Sequence, residues 1–100
     1  MAIVAANIFK VRPGKEKQLL ELLKTAKKIV ERAGGTYTVS REVVGQQPNS
    51  ILVVGQYPDW GHLGKARSDP EFQKLLDAAR SNSDPAAELV TAAIFEDVAI

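Results

Sequence analysis

The hydrophobic pattern changes period once in the first third of the chain. Residues 2–11, "AIVAANIFKV", alternate as in a strand, but Ile3, Ala5 and Phe9 on one side and Val4, Ala6 and Ile8 on the other are all apolar. Both sides of this strand are therefore expected to be covered by other parts of the protein. Between Lys15 and Ala33 apolar residues recur every three or four positions, which predicts an amphipathic helix that ends at Gly34-Gly35. Its apolar positions are Leu19, Leu22, Leu23, Ala26, Ile29, Val30 and Ala33.

The remaining chain alternates between strand and helix patterns. "TYTVSREVV" (36–44) and "ILVVGQY" (51–57) read as strands joined by the turn "GQQPNS". Asp59 is a predicted N-cap of a short helix, and Ser68-Asp69-Pro70-Glu71 is the start signal of another. The apolar stripe of this second helix is Phe72, Leu75, Leu76 and Ala79. "SNSDPAAELV" (81–90) reads as an irregular return with one more Asp-Pro start, and "TAAIFEDVAI" (91–100) as the last strand.

The resulting order, β-α-β-β-α-β, predicts one α+β domain over residues 1–100 with a ferredoxin-like fold. In that fold two helices cover one face of a four-stranded antiparallel sheet. The other face here is also apolar, since Val4, Leu52 and Ala93 alternate with residues that are equally apolar. A monomer rarely exposes such a face. We therefore expect a two-fold homodimer whose sheets close on each other, with further assembly left open.

Composition narrows the class of protein. The 100 residues include no Cys, which excludes a disulfide framework, a thiolate nucleophile and a Cys metal site. No apolar run is long enough for a membrane span, so we expect a cytoplasmic protein with no membrane partner. Residues 10–32 carry eight Lys and Arg against three Glu, which we interpret as a solvated helix face.

The chain resembles the dimeric α/β-barrel superfamily, which includes antibiotic-biosynthesis-type monooxygenases, haem-degrading monooxygenases, NIPSNAP-like proteins and stress-responsive barrel proteins. The resemblance spans nearly the whole chain. It depends on the element order, on "AANIFKVRPGKEKQLLELL" (5–23), and on a strand ending in Tyr57 that is followed by "DW" and "SDPEFQKLL". It implies a small apolar pocket in each subunit, between sheet and helices or between the sheets.

Asn7 is the first candidate site residue, because a buried carboxamide among apolar neighbours needs a hydrogen-bond partner. The haem-degrading branch is similar in having a catalytic Asn near the end of an "A-x-N" run on its first strand. Where that branch has its haem-ligating His and its Trp, this chain has Leu75 or Leu76 and Lys65. We therefore expect no haem and no other cofactor, with Asn7 as a polar group of the pocket or bonded within the sheet.

Two further candidates stand together at the start of the short helix. Trp60 could close the pocket or the dimer seam, or pack in the core. His62 could contact a ligand or act as a general base, but the spacing of polar residues suggests no orienting partner for it. With one His and no Cys, a metal site is not expected.

Tyr37 and Arg41 share one side of the second strand. If that side faces the interior of the barrel, both residues can form hydrogen bonds with a carboxylate or quinone-like oxygen of a ligand. Otherwise Arg41 is half of a cross-strand ion pair.

These patterns lead to a first hypothesis of a homodimeric barrel that binds a small apolar or aromatic ligand, with catalytic residues unknown. The alternative is a cofactor-independent monooxygenase acting on a quinol- or polyketide-like substrate. An RNA-recognition domain has the same element order, but it needs aromatic residues on its central strands and a basic sheet face. "ILVVGQY" has one aromatic residue, at its end, so no nucleic-acid partner is expected.

Overall fold

The computed structural model describes residues 2–100, and its elements follow the predicted order. They are β1 (Ile3–Val11), α1 (Glu16–Arg32), β2 (Thr36–Arg41), β3 (Ile51–Tyr57), α2 (Trp60–Arg67), α3 (Pro70–Ser81) and β4 (Ala87–Glu96). The strands form one antiparallel sheet in the order β2-β3-β1-β4. This arrangement confirms the predicted ferredoxin-like α+β fold. No helix in this described range is both long enough and apolar enough to cross a membrane.

Both helix starts predicted after β3 are present. The Asp59 side chain accepts a hydrogen bond from the backbone N–H of His62 at the start of α2. The Asp69 side chain does the same for the N–H of Glu71 at the start of α3, which has Pro70 at its first position. Such caps satisfy N–H groups that have no partner inside the helix.

The boundaries of β2 and β4 differ from the prediction. β4 begins at Ala87 rather than at residue 91, and it ends at Glu96 rather than at residue 100. The register between β1 and β4 shifts between Ile8 and Phe9, so the alternation is interrupted where the strand was read as irregular. Asp84 starts no helix, because its carboxylate binds the Lys15 ammonium at 2.9 Å instead. β2 stops at Arg41, which leaves residues 42–50 as a loop.

The core lies between α1 and the sheet and consists of two clusters of buried residues. One is Ile3, Val30, Ala33, Tyr57, Leu63 and Ala66, and the other is Leu19, Leu23, Ile51, Val53 and Ala86. Each fully buried aliphatic side chain contributes roughly 1.5–3 kcal/mol. α1 ends where Gly34 adopts a left-handed φ of +91°, as its Gly-Gly pair predicted.

α3 covers the sheet incompletely. None of its residues is fully buried, and it packs beside α1. Several residues of β1 and β4 that point toward the helices therefore remain exposed to solvent, with Leu89 54% and Ile94 40% exposed. On β1 the partly exposed helix-side residues are Ala5, Asn7 and Phe9. We refer to this row, Ala5, Asn7, Phe9, Leu89 and Ile94, as the crevice.

The opposite side of the sheet is apolar, as predicted. Its apolar residues, which we call the open face, are Val4, Ala6, Ile8, Leu52, Val54, Ala93 and Phe95. They alternate with the helix-side residues and therefore point away from all three helices. All seven are partly or largely exposed, and Phe95 is 57% exposed.

Candidate functional site

An apolar cavity of about 300 Å³ lies between α1, α3 and the ends of β1 and β4. Its walls are Leu19, Leu22 and Leu23 on α1, Leu75, Leu76, Ala78 and Ala79 on α3, and Phe9, Ala86 and Ala87 on the sheet side. Gln18, Asn82 and Pro85 complete the lining. A space of this size with few polar groups is typical of a site for a small apolar molecule.

The crevice continues from this cavity along β1. Asn7 lies two residues from Phe9 on the same side of the strand, a separation of about 7 Å. The Asn7 side chain is half-buried, and within residues 2–100 it makes no hydrogen bond. The partner expected for this carboxamide is thus not another side chain or a neighbouring strand. It remains able to bond a molecule in the crevice.

Two tyrosines lie farther along the same side of the sheet. Tyr57 is 6% exposed, and Tyr37 packs against both core clusters. The Tyr57 ring lies over Gly55, where a Cβ would be 3.3 Å from its hydroxyl oxygen. Burial raises the pKa of Tyr37, and the neighbouring Tyr57 raises it further. Burial also raises the pKa of Tyr57, while the positive charge of Arg67 lowers it. Both phenols are therefore neutral hydrogen-bond donors near pH 7.

His62 has an orienting partner, contrary to the expectation from spacing. Its Nδ1 lies 2.6 Å from an oxygen of Asp59, the same oxygen that caps α2. A carboxylate at Nδ1 favours the tautomer that leaves Nε2 as an acceptor. The ring lies against Gly34 at the end of α1, and His62 does not line the cavity. Trp60, 50% exposed, begins the same helix.

The Asp59–His62 contact predicts a pH-dependent contribution to stability. The hydrogen bond from the His62 ring, followed by that from its backbone N–H, lowers the pKa of Asp59. An acid with a lowered folded-state pKa stabilises the fold above its unfolded pKa of about 3.9, and this contribution is lost as pH falls through the folded value. We expect Asp59→Asn to lower the unfolding midpoint by a few degrees at pH 7, and this difference to shrink as the pH falls below about 3.9 toward the lower folded-state pKa of Asp59.

Thermal unfolding of the two proteins between pH 7 and pH 3 measures this difference. Asp77→Asn is the matched control, because its carboxylate on α3 makes no hydrogen bond in the described chain. A difference between wild type and Asp59→Asn that persists unchanged at pH 3 would contradict the assignment.

Arg41 forms an ion pair with Glu16 at the start of α1. The pair joins the end of β2 to α1 rather than crossing between strands. Arg41 also lines a shallow polar notch with Arg12, Lys17 and Asn49. Glu16 already neutralises the charge of Arg41, so within this subunit Arg41 is not available to bind a charged ligand.

The five predicted site residues do not converge on one cavity. Asn7 and Tyr37 lie on the helix side of the sheet, Trp60 and His62 lie at the start of α2, and Arg41 lies at the end of β2. Within the described part of the chain, no cluster of three His, Asp or Glu could hold a metal ion. The sequence pattern identified Leu75, Leu76 and Ala79 as a packing stripe, whereas the structure places them on the cavity wall.

The fold was compared with known proteins. Neither a protein-family model nor a curated sequence matches the chain. A variant of SnoaB, a cofactor-independent oxygenase from Streptomyces nogalater, is 17% identical with a TM-score of 0.76, covering 99% of this chain and 95% of that one. A protein from Chloroflexus aurantiacus, provisionally assigned as an antibiotic biosynthesis monooxygenase, is 16% identical with a TM-score of 0.72, covering 99% and 95%.

A NIPSNAP-like domain protein from Burkholderia xenovorans is 18% identical with a TM-score of 0.62, covering 97% of this chain and 85% of that one. At these identities the matches establish the fold and leave the activity open. The chain has the fold of antibiotic-biosynthesis-monooxygenase-like and NIPSNAP-like proteins, which confirms, at the level of fold, the resemblance predicted from its sequence.

Proposed function

We propose that this protein is a homodimer that binds a small apolar or aromatic molecule between α3 and the sheet. The observation that carries the proposal is the cavity of about 300 Å³ whose walls are almost entirely Leu, Ala and Phe. A packed core leaves few voids larger than a water molecule. A bound ligand therefore explains the cavity better than imperfect packing does.

The open face supports the dimer. Seven apolar residues on three adjacent strands point away from the helices, and polar Thr36, Thr38 and Gln56 border them. An apolar centre with a polar rim is the usual anatomy of an interface between subunits. A second copy of the chain presents the same open face, and two-fold pairing would remove both open faces from water.

The alternative function is cofactor-independent oxygenation. It is favoured by the Asn7 carboxamide, which is about 7 Å from the cavity floor and has no partner in the described chain. SnoaB, which has the same fold, is a cofactor-independent oxygenase. In such a reaction a substrate CH₂ group, activated as its carbanion, reduces O₂. One oxygen atom becomes the new carbonyl and the other leaves as water.

Ligand titration with a purified sample tests the first function, and oxygen uptake tests the alternative. Neutral probes such as naphthalene and decanol should raise the unfolding midpoint, because a ligand that prefers the folded state stabilises it. Failure of every neutral apolar probe to shift the midpoint would refute ligand binding. If the alternative holds, anthrone, an aromatic ketone with one acidic CH₂ group, should consume oxygen faster with the protein than with buffer, and Asn7→Ala should remove the excess. Equal rates with wild type and buffer would refute oxygenation of this class.

A further inference from the structure

Tyr57 is more than nine-tenths buried, and its hydroxyl makes no hydrogen bond to any residue that the structure describes. The residue is 6% exposed, yet among residues 2–100 its oxygen takes part in no hydrogen bond. Buried Tyr hydroxyls usually have a partner. The described chain contains no fully enclosed side-chain oxygen or nitrogen that lacks a partner, so the Tyr57 hydroxyl reaches a surface that another atom can touch.

Tyr37 brings a second hydroxyl to the same place. It pairs directly with Gly55 in the sheet, and Gly55 is also the residue covered by the Tyr57 ring. The Tyr37 hydroxyl likewise makes no hydrogen bond within the described chain. On the other side of Gly55 the sheet neighbour is Ala5, which belongs to the crevice. Both tyrosines therefore adjoin Gly55, one sheet position away from Ala5 at the end of the crevice.

Arg67 adds an uncompensated positive charge. Arg12, Arg32 and Arg41 each meet a carboxylate, whereas Arg67, at the end of α2, and Arg80, on α3, have no salt bridge to any residue of the described chain. Of these two, Arg67 directly follows Ala66, which packs in the same cluster as Tyr57. Burial raises the pKa of Tyr57, and the positive charge of Arg67 acts in the opposite direction.

We propose that Tyr37, Tyr57 and Arg67 anchor the carboxylate of an elongated apolar acid whose hydrocarbon body lies along the crevice and in the cavity. Two phenol donors and a guanidinium are well suited to a carboxylate, whose oxygens accept several strong hydrogen bonds. Ala5 and Phe9 are four residues apart on β1, so the anchor and the cavity are separated by roughly 13 Å. A straight medium-length acid spans this distance past Asn7. The assignment depends on the proposed ligand-binding function and specifies the ligand class.

Decanoate and decanol, which differ only at the polar end, test the assignment by titration calorimetry at pH 7. We expect decanoate to bind about tenfold more tightly than decanol or better, since hydrogen bonds to a charged group exceed neutral ones. Tyr57→Phe should retain the fold, because the hydroxyl makes no hydrogen bond within residues 2–100, and should reduce decanoate affinity about tenfold without changing that of decanol. Arg67→Gln should have the same selective effect.

Lys65→Gln is the matched control, because it removes one positive charge from the same helix at an exposed position without a salt bridge. It should leave decanoate affinity unchanged. Equal binding of decanoate and decanol to wild type, or an equal loss in Lys65→Gln and Arg67→Gln, overturns the anchor while ligand binding stands. Absence of binding by both probes overturns the anchor together with the proposed function.

Discussion

We expect that replacing Val54 by Lys converts the proposed homodimer into folded monomers. Val54 lies on β3 in the open face, paired with Ala6 on one side and with Thr38 on the other. It points away from the helices, so in a single subunit the new ammonium reaches water and the core is unchanged. In the paired sheets the same ammonium would be buried without a partner, at a cost of about 3–5 kcal/mol. Two-fold symmetry introduces one such charge from each subunit, so the dissociation constant should rise by at least about a hundredfold.

Sedimentation velocity over a wide concentration range measures this change. Gln56→Lys is the control, because residue 56 is on the same strand and the same side but is already polar and exposed. We expect the wild type and Gln56→Lys to sediment as dimers and Val54→Lys as a monomer with unchanged circular dichroism. A wild type that is monomeric at high concentration, or a Val54→Lys protein that remains dimeric, would show that the sheets do not pair through this face.

We expect that filling the cavity weakens the proposed binding of an apolar ligand. Ala79 lines the cavity from α3 and is exposed, so a Phe at this position can enter the space without displacing a core residue. The aromatic ring would occupy the volume that a guest needs. We expect the affinity for a neutral probe such as decanol to fall more than about tenfold. The unfolding midpoint should stay the same or rise, because the ring gains apolar contacts.

The same titration with Arg80→Phe separates filling from general effects of an added ring. Arg80 follows Ala79 on α3 and does not line the cavity. Its replacement should leave the affinity for decanol unchanged. Undiminished binding of decanol to Ala79→Phe would show that the ligand binds outside this cavity.

Local chemistry explains which predictions came from the sequence. Asp59 and Asp69 mark helix starts because a side-chain oxygen can reach N–H groups two or three residues later, and both caps are present. The open face could be predicted because alternation along a strand assigns each side chain to a side regardless of how the strands pair. The Asp59–His62 contact is also local, and a cap three residues before a His is the signal that could have predicted it.

The site residues depend on contacts between distant parts of the chain. Glu16 neutralises Arg41 across 25 positions, and Tyr57 meets Tyr37 only because β3 pairs with β2. The apolar side of α3 forms a cavity wall because α3 packs against α1 and leaves a gap above the strands of the sheet. Periodicity shows which side of a helix is apolar, but the gap left under that side depends on how the helix packs.

The sequence by itself determined the order of elements, the ferredoxin-like fold and a sheet apolar on both sides, since each follows from spacing within a short segment. Only the tertiary structure decided that the cavity lies under α3, that Asn7 beside it has no hydrogen-bond partner among residues 2–100, and that Tyr57 packs over Gly55 next to the crevice. These features arise where segments far apart in the chain meet, and pairing and packing set that geometry.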